Sequence, residues 1–353
     1  MSAIITAYLR TYQRRHRRDT LETTLTTGIR SCKDSRKSTM ASYSKERLRG
    51  TKKTYSGKGM VKVGRLLSIS PVRYWPSFRA FLAAVEMGGG ARGDNNLYQT
   101  FGSKVPDTFL HEAESELRVL GIGSGSGEAD SIILKKLLQR HKRVYNRVVE
   151  PSGEMIERFK TLVREDTGLR GVTFDWRHQT DEEYFRKKIN TQFHLLHAVH
   201  VLYCVEDLHA TLRNMWEQLE DTGYMFIILE ADKGNVWKMR EKFWERFGQG
   251  DRLKSSLRTT GDVKQWLDTM GISYVTSEYE INIDVTECFK ENSEAGRQLL
   301  DFLTQTPYIT NDPEMQTMVL ENIRCNASVV GEKILLKQIG EAVIAFKKGA
   351  EKN

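Results

Sequence analysis

The sequence predicts a doubly wound α/β fold, in which helices cover both faces of a mostly parallel sheet. Three observations support this prediction. Short apolar runs typical of buried strands alternate with amphipathic helical stretches along most of the chain. A glycine-rich loop joins the first of these strands to the helix that follows it. The last apolar run is reached by a short connection, which favours an antiparallel final strand.

Each element is assigned in chain order from its hydrophobic period and from the glycines that interrupt it. A first helix is predicted over residues 77–87, where large apolar residues recur at helical spacing before a glycine cluster. Seven strands are predicted, at residues 117–123, 146–152, 172–178, 193–203, 224–231, 273–287 and 341–348. Helical patterns lie between them, at residues 127–141, 153–166, 207–219, 236–247 and 260–271, and within 288–325. The prediction is therefore a seven-stranded sheet with a small helical region.

The basic charge is concentrated at the start of the chain. Residues 1–71 carry 17 Lys and Arg against 4 Asp and Glu, so the rest is mildly acidic although the whole chain is at +8. We predict a disordered basic extension over residues 1–70, because its polar composition cannot repay the entropy of ordering, and a folded domain over 71–353. The extension is a solvated or non-native segment, a mitochondrial transit peptide, or a nuclear-import or nucleic-acid patch at residues 14–18.

Several classes of protein are disfavoured by composition. No run of about 18 apolar residues is present, which argues against a membrane-spanning protein. The four cysteines lie far apart and form no CxxC pair, which argues against a zinc knuckle and a disulfide framework. That pattern suits a reducing compartment, and we expect a cytoplasmic protein, or a mitochondrial one if the extension is a transit peptide. We expect no metal, and nucleic acid is a disfavoured partner since the folded part is acidic.

The glycine loop is the first feature that carries chemistry. Gly121, Gly123, Gly125 and Gly127 lie where a strand meets a helix, so the backbone can turn tightly and let a ligand approach. A glycine loop alone is a weak signal. Glu150 strengthens it, because this residue ends the next strand, where a carboxylate can accept both ribose hydroxyls of an adenosine.

Spacing and charge distinguish between two adenosine cofactors. The glycines follow a G-x-G-x-G pattern rather than GxGxxG, and Glu128 comes directly after them. A pyrophosphate favours a helix N-terminus without nearby anions, whereas a carboxylate suits a ligand that carries an ammonium and a sulfonium. The loop therefore favours S-adenosyl-L-methionine over NAD.

The motifs around the loop resemble a known family. They are LGIGSGSGEADSIIL, VVEPSGEMIERFK, FDWRHQTDEEY, HAVHVLYCVEDLHATL and VTECF. Together they resemble histamine N-methyltransferase, and the likeness extends from about Arg73 to the C-terminus. The resemblance implies a class I, Rossmann-like methyltransferase fold with a small helical cap over an amine pocket. It also implies methylation of an imidazole nitrogen.

The resemblance places the cofactor on specific positions. Gly123 and Glu150 match the family's loop glycine and ribose-binding acid. Met155 stands where the family has a cofactor-binding Gln, Asp181 at a Ser near the adenine, and Val199 at an apolar adenine contact. With the remaining loop residues, the predicted cofactor site is Gly123, Gly125, Gly127, Glu128, Glu150, Met155, Asp181 and Val199.

The amine pocket resembles the family less closely. Tyr74, Phe78 and Tyr203 match aromatic residues of the amine site, whereas His200 replaces a Gln and Cys204 replaces a Tyr. The family's cation-binding Glu falls near Glu86, a Trp falls beside Trp237, and Gln338 takes the place of an Asn. Each has a plainer interpretation: Tyr74, Phe78 and Trp237 as core aromatics, His200 as a partly buried histidine, and Cys204 as a small buried residue.

The resemblance and the loop together predict a monomeric S-adenosylmethionine-dependent N-methyltransferase that acts on a small amine or imidazole compound. Methyl transfer from a sulfonium is an in-line displacement with a neutral leaving group, so we expect positioning rather than a catalytic acid or base. Glu86 or a neighbouring carboxylate would hold a substrate cation, while His200, Tyr203 and Gln338 orient the acceptor. Two alternatives remain: a protein or RNA methyltransferase that uses the basic extension, and a non-catalytic adenosine-cofactor binder or NAD enzyme.

Overall fold

The described residues form nine strands in one sheet. The computed structural model describes Val61 and residues 63–87, 97–106, 116–187, 191–248 and 257–347. The strands are β1 (Val85–Met87), β2 (Leu117–Ile122), β3 (Val144–Val149), β4 (Val172–Arg177), β5 (Phe193–Val199), β6 (Leu219–Glu230), β7 (Tyr274–Asp284), β8 (Ser328–Val330) and β9 (Lys333–Phe346). Their order is β1-β7-β9-β6-β5-β2-β3-β4, and β8 pairs with β9.

The sheet is parallel from β6 to β4 and turns antiparallel at β9. The strands β2, β3, β4, β5 and β6 pair in parallel with their neighbours, whereas β9 pairs antiparallel with β6. This confirms the predicted mostly parallel α/β fold and its antiparallel final strand. Because β2 to β6 run in one direction, their carboxyl ends meet at one edge of the sheet.

Helices connect these strands. They are α1 (Leu66–Ile69), α2 (Pro71–Ala84), α3 (Leu97–Lys104), α4 (Glu128–Leu138), α5 (Gly153–Glu165), α6 (Asp181–Arg186), α7 (Leu208–Gln218), α8 (Asn235–Phe247), α9 (Thr260–Thr269), α10 (Glu294–Thr304) and α11 (Pro313–Asn326). Many begin at a side chain that caps free backbone N–H groups, as Ser152 does for α5, Asp207 for α7 and Ser293 for α10.

The chain divides into two compact units. Unit 1 comprises Met1–Val85, Lys242–Gly248 and Ile283–Leu336, and unit 2 comprises Glu86–Glu241, Gln249–Asn282 and Lys337–Asn353. The predicted division at residue 70 stays a prediction: residues 1–60 and 62 of the predicted extension lie outside the described residues, whereas Leu66–Ile69 form α1.

Unit 2 is built on the sheet. Every residue of β5 except Val199 is buried, as expected for a parallel strand covered on both faces. Side chains of β5 and β6 pack against α7 and α9 in one apolar cluster, to which Leu212 and Trp266 belong. This core fixes the strands whose carboxyl ends carry the candidate site.

Unit 1 is organised around the pair of helices α2 and α10. Phe302 of α10 contacts Phe78 and Phe81 of α2, with ring centroids 5.6 and 4.6 Å apart. Arg73 of α2 donates to Asp301 at 2.6 Å and also pairs with Glu294. Helix α2 begins at Pro71, because proline is tolerated in the first turn of a helix. The sequence had predicted a start at residue 77.

Several elements differ from their predicted bounds. The first helix ends at Ala84 rather than residue 87, and β1 follows it. Strand β5 ends at Val199 rather than residue 203, because His200 has a φ of 49° and the chain turns there. Strand β9 begins at Lys333 and forms a hairpin with β8 through Gly331. With β1 and β8 added, the described sheet has nine strands where seven were predicted.

Two compositional expectations are addressed by the structure. Among the described residues, Cys204 and Cys288 are free cysteines. Among the described residues, no helix combines the length and apolar character that a membrane crossing requires.

Candidate active site

The glycine loop between β2 and α4 has the left-handed backbone that glycine permits. Gly123, Gly125 and Gly127 have φ values of 64°, 56° and 85°. A Cβ at Gly127 would lie 2.0 Å from the Phe159 ring, and one at Gly123 would lie 2.2 Å from Val201. These two glycines are therefore required by packing within the protein itself.

Gly125 differs from its neighbours. A Cβ there would meet no atom within 4 Å, so the loop backbone faces open space at this residue. Its N–H donates to Glu150 Oε2 at 2.9 Å, and Ser152 N–H donates to Oε1 at 2.8 Å. Glu150 is only 7% exposed. Burial raises the pKa of its carboxyl group, although the two N–H donors act to lower it. The loop and the carboxylate are thus held together by a hydrogen bond.

Two other predicted cofactor residues lie beside this loop. Glu128 is the first residue of α4, where a carboxylate favours the helix N-terminus, and Ser126 Oγ donates to it at 2.7 Å. Met155 is buried in the first turn of α5, and its N–H donates to the capping Ser152. The approachable backbone at Gly125, beside Glu128 and Glu150, fits an adenosyl ligand with a cationic end.

Val199 and Asp181 occupy different surroundings. Val199 ends β5, one residue beyond Ala198, which pairs with Ile122 just before the loop. Asp181 begins α6 and accepts a hydrogen bond from Thr211 of α7 at 2.6 Å. Burial raises the pKa of Asp181 to about 6. The structure therefore places Val199 next to the loop, whereas the Asp181 carboxylate is hydrogen-bonded to α7.

A second group of side chains lies at the carboxyl end of β5. His200 Nε2 is 3.1 Å from the hydroxyl of Tyr279, and its ring centroid is 5.4 Å from that of Phe101. Burial lowers the pKa of His200 to about 4, so the ring is neutral near pH 7. In this neutral histidine one ring nitrogen can donate a hydrogen bond and the other can accept one.

Tyr279 and Glu230 complete the group and were not singled out in the sequence. The Tyr279 ring covers Gly340, where a Cβ would lie 2.2 Å from it. Glu230 ends β6 opposite Gly340, and Arg240 donates to it at 2.9 Å. Burial, with the nearby charge of Glu230, raises the pKa of Tyr279. Gln338, a predicted pocket residue, is buried on β9.

The remaining predicted pocket residues are spread over both units. In unit 2, Tyr203 packs against the apolar core, and Trp237 donates to the Leu257 carbonyl at 3.3 Å. Cys204 is exposed, so the interpretation as a small buried residue is wrong, because the turn after β5 carries it to the surface. In unit 1, the rings of Tyr74 and Phe78 stack 6.0 Å apart, together with Phe302.

Glu86 lies on β1, and its side chain falls outside the described residues. The structure therefore brings together the glycine loop with Glu150 and Met155, and separately His200 with Tyr279. A cavity of about 530 Å³ in unit 1, lined by residues such as Glu287 and Arg297, includes none of the predicted site residues.

Comparison with known proteins identifies the family. Residues 96–276 match the family model of a methyltransferase domain. The chain is 30% identical over 262 residues to histamine N-methyltransferase of Bos taurus, covering 71% of this chain and 87% of that protein. It is 33% identical to the enzyme of Cavia porcellus, with the same coverage. The chain belongs to the histamine N-methyltransferase family.

The enzyme is thus an S-adenosylmethionine-dependent N-methyltransferase with a class I fold, which confirms the resemblance, the fold and the cofactor predicted from sequence. Among solved structures, a putative methyltransferase from Bacillus halodurans is similar with a TM-score of 0.44 and 12% identity. The likeness covers 68% of this chain and 95% of that one. The two alternative functions are not favoured by these relatives.

Proposed function

We propose that the enzyme methylates a nitrogen of a small amine or imidazole compound, in a site at the carboxyl edge of the sheet. The proposal rests on one observation: two groups of residues lie at that edge of the sheet. The glycine loop and Glu150 follow β2 and β3, while the neutral His200, hydrogen-bonded to Tyr279, follows β5. The curated relatives named above are histamine N-methyltransferases, which supports an amine as the acceptor.

The cofactor half of the proposal assigns the adenosine to Glu150. Its two oxygens already accept backbone N–H groups, and each retains a lone pair for a ribose hydroxyl. Gly123, Gly125 and Gly127 let the backbone approach the ligand, and Glu128 faces its cationic end. Met155, Val199 and Asp181 are proposed to surround the adenine.

The acceptor half assigns the amine to the residues after β5. His200, Tyr203 and Gln338 would orient it, with Cys204 and Trp237 as further pocket residues. Tyr74 and Phe78, which belong to unit 1, remain predictions from the resemblance. Glu86 is proposed to hold a cationic group of the substrate. We further propose that the enzyme is monomeric and cytoplasmic, with residues 1–70 as an extension without a role in the site.

Positioning is the main contribution of these residues to the reaction. Bound S-adenosylmethionine supplies a methyl group already activated on a sulfonium, and its departure leaves a neutral thioether. The protein therefore needs to align the acceptor lone pair with the methyl carbon and exclude water. His200 suits this task, because a neutral imidazole carries no charge that would repel an incoming sulfonium or a cationic amine.

A panel of acceptors tests the proposal. Purified enzyme is incubated with methyl-labelled S-adenosylmethionine and imidazole compounds, aliphatic amines, a basic peptide and RNA. We expect label to enter an imidazole or amine and neither polymer. The variants Glu86→Gln and His200→Ala should lower kcat/KM for the best acceptor, whereas His209→Ala, at an exposed position on α7, should not. Unchanged kcat/KM in both site variants would contradict the assigned acceptor residues.

A further inference from the structure

Within the part of the chain that the structure describes, one carboxylate oxygen of Glu230 has no hydrogen-bond partner. This residue is the last of β6 and is only 8% exposed. Its Oε2 accepts from Arg240 at 2.9 Å, whereas Oε1 has no hydrogen-bond partner among the described residues. A buried acceptor left without a donor is costly, so its presence points to a group that binds there.

Gln338 presents a second acceptor on the same face of the sheet. Glu230 is directly opposite Gly340 in the antiparallel pair β6–β9, and opposed residues point to one face. Gln338 precedes Gly340 by two residues and therefore shares this face. It is 9% exposed, and its Oε1 also has no partner in the described part of the chain. Two buried acceptors thus flank a glycine that Tyr279 covers.

The chemistry of the two oxygens defines the class of ligand. Both need hydrogen-bond donors, and the Arg240 guanidinium already balances the charge of Glu230. A free cation is therefore not required, and an anion is disfavoured by the carboxylate. A compound with N–H groups, such as an imidazole ring or an amine, satisfies both acceptors.

The position of Glu230 suits a methyl acceptor. The backbone N–H of His200 donates to the carbonyl of Ile228 at 2.8 Å, and Ile228 lies two residues before Glu230. Strand β5 lies between β2, which carries the cofactor loop, and β6. With about 4.8 Å between neighbouring strands, Glu230 lies roughly 10 Å across the sheet from the end of β2. A cofactor bound at the loop and a small acceptor ring beside Glu230 can together fill this span.

We propose that Glu230 Oε1 accepts a hydrogen bond from an N–H of the methyl-acceptor substrate and thereby selects the nitrogen that is methylated. This inference rests on the proposed function. The lone pair of the other ring nitrogen attacks the methyl carbon, and the electrons of the carbon–sulfur bond leave with the neutral thioether. The ring becomes cationic, so its N–H bond to the Glu230 carboxylate strengthens as the reaction proceeds.

A pair of substrates tests the inference. Imidazole carries an N–H, whereas 1-methylimidazole offers a ring lone pair and no N–H. The wild type should methylate imidazole with the higher kcat/KM. Glu230→Gln should lower kcat/KM for imidazole by roughly 10- to 100-fold, as expected for loss of a charge-assisted hydrogen bond, and bring the two substrates close together.

Glu341→Gln is the matched control. Glu341 neighbours Gly340 on β9 but faces the opposite side of the sheet, where it forms a buried ion pair with Lys264 at 2.9 Å. This variant loses a comparable ion pair and should keep the wild-type preference for imidazole. Affinity for S-adenosylhomocysteine, measured by calorimetry, should be unchanged in both variants.

A double variant guards against misfolding. Glu230→Gln removes the negative charge that Arg240 contacts, whereas Glu230→Leu with Arg240→Met replaces both charges by apolar groups of similar size. The double variant should show the same loss of preference. If the wild type is active and the preference for imidazole persists in both variants, the role of Glu230 is wrong while the proposed function is unaffected. A wild type that methylates no amine in the panel would overturn the proposed function and this inference with it.

Discussion

His200 is a residue whose protonation is decided by its surroundings. It lies beside Phe101 and Tyr279, and burial lowers its pKa to about 4. The unfolded chain takes up this proton near pH 6.5, but the folded chain does so only near pH 4. Folding stability should therefore fall as the pH decreases from about 6.5 to about 4, by about 2–3 kcal/mol from this group.

Urea unfolding at pH 7 and pH 5 measures this effect. The variant His200→Asn should lose less stability between the two pH values than the wild type, since Asn tolerates the left-handed φ and does not titrate. His209→Asn, at an exposed position on α7, serves as the control and should behave like the wild type. An equal pH dependence in all three proteins would contradict a neutral, partly buried His200.

Glu150 allows a test of the cofactor half of the site. In Glu150→Gln one oxygen becomes an NH₂ group, which cannot accept from Gly125 or Ser152 and cannot accept a ribose hydroxyl. We expect the Kd for S-adenosylhomocysteine to rise by roughly 10- to 100-fold, measured by calorimetry. Glu154→Gln, at an exposed position in the first turn of α5, is the control. Equal Kd values in the two variants would exclude Glu150 as the ribose ligand.

The sequence predicted residues whose partners are close along the chain. Gly125 and Glu150 were predicted because the loop, the strand and the acidic residue follow each other within about two elements. Tyr279 and Phe101 were missed, since their contacts to His200 join distant segments that no local pattern reveals. Glu230 had a usable signal: like Glu150, it is an acidic residue that ends an apolar strand.

At the scale of elements, helices and strands with a clear hydrophobic period were predicted closely, whereas their ends were not. The helices α4, α5, α7, α8 and α9 lie within two or three residues of their predicted bounds. Strand β9 was predicted only over its apolar end, because its first half alternates exposed and buried residues from Lys333 onwards. The apolar run of β5 continues past Val199, and only the backbone of His200 ends the strand.

The pairing of α2 and α10 rests on a buried ion pair. Asp301 is fully buried and accepts from both Arg73 and the Ile309 N–H, whereas Glu294, the other partner of Arg73, is half exposed. Asp301→Asn should lower the free energy of unfolding by about 3–5 kcal/mol, because it leaves Arg73 without its buried counter-charge. Glu294→Gln should cost less than about 1 kcal/mol.

Denaturant unfolding compares the two variants directly, since both remove one negative charge from the same arginine. A similar loss of stability in both would show that the position of Asp301 in the α2–α10 pair is not important. The apolar contacts of Phe302 would then carry the pairing alone.

At the scale of the whole molecule, the distribution of charge separates the extension from the enzyme. The basic excess lies in residues 1–71, and the remainder is mildly acidic. We predict that deletion of residues 1–59 leaves kcat/KM for the best small amine within about twofold of the full chain, because an acceptor without phosphates needs no basic handle. Loss of activity in the deleted protein, with its melting temperature unchanged, would assign the extension a role in substrate binding.

The fold class and the cofactor were predictable from sequence, because they depend on the order of elements and on one local loop. The family was predicted from the resemblance of five motifs. The acceptor residues were less predictable, since they meet only when β5, β6, β7 and β9 are assembled into one sheet. The sequence therefore defines the methyl donor more sharply than the acceptor, and we propose Glu230 and Tyr279 as further residues of the acceptor side.

A crystal structure of the enzyme with S-adenosylhomocysteine and an imidazole amine tests the central claim most directly. We predict the ribose hydroxyls on Glu150 beside Gly125, and the imidazole at the carboxyl ends of β5 and β6, with one N–H on Glu230. An adenosine bound away from Glu150, or an imidazole bound outside this edge of the sheet, would contradict the account.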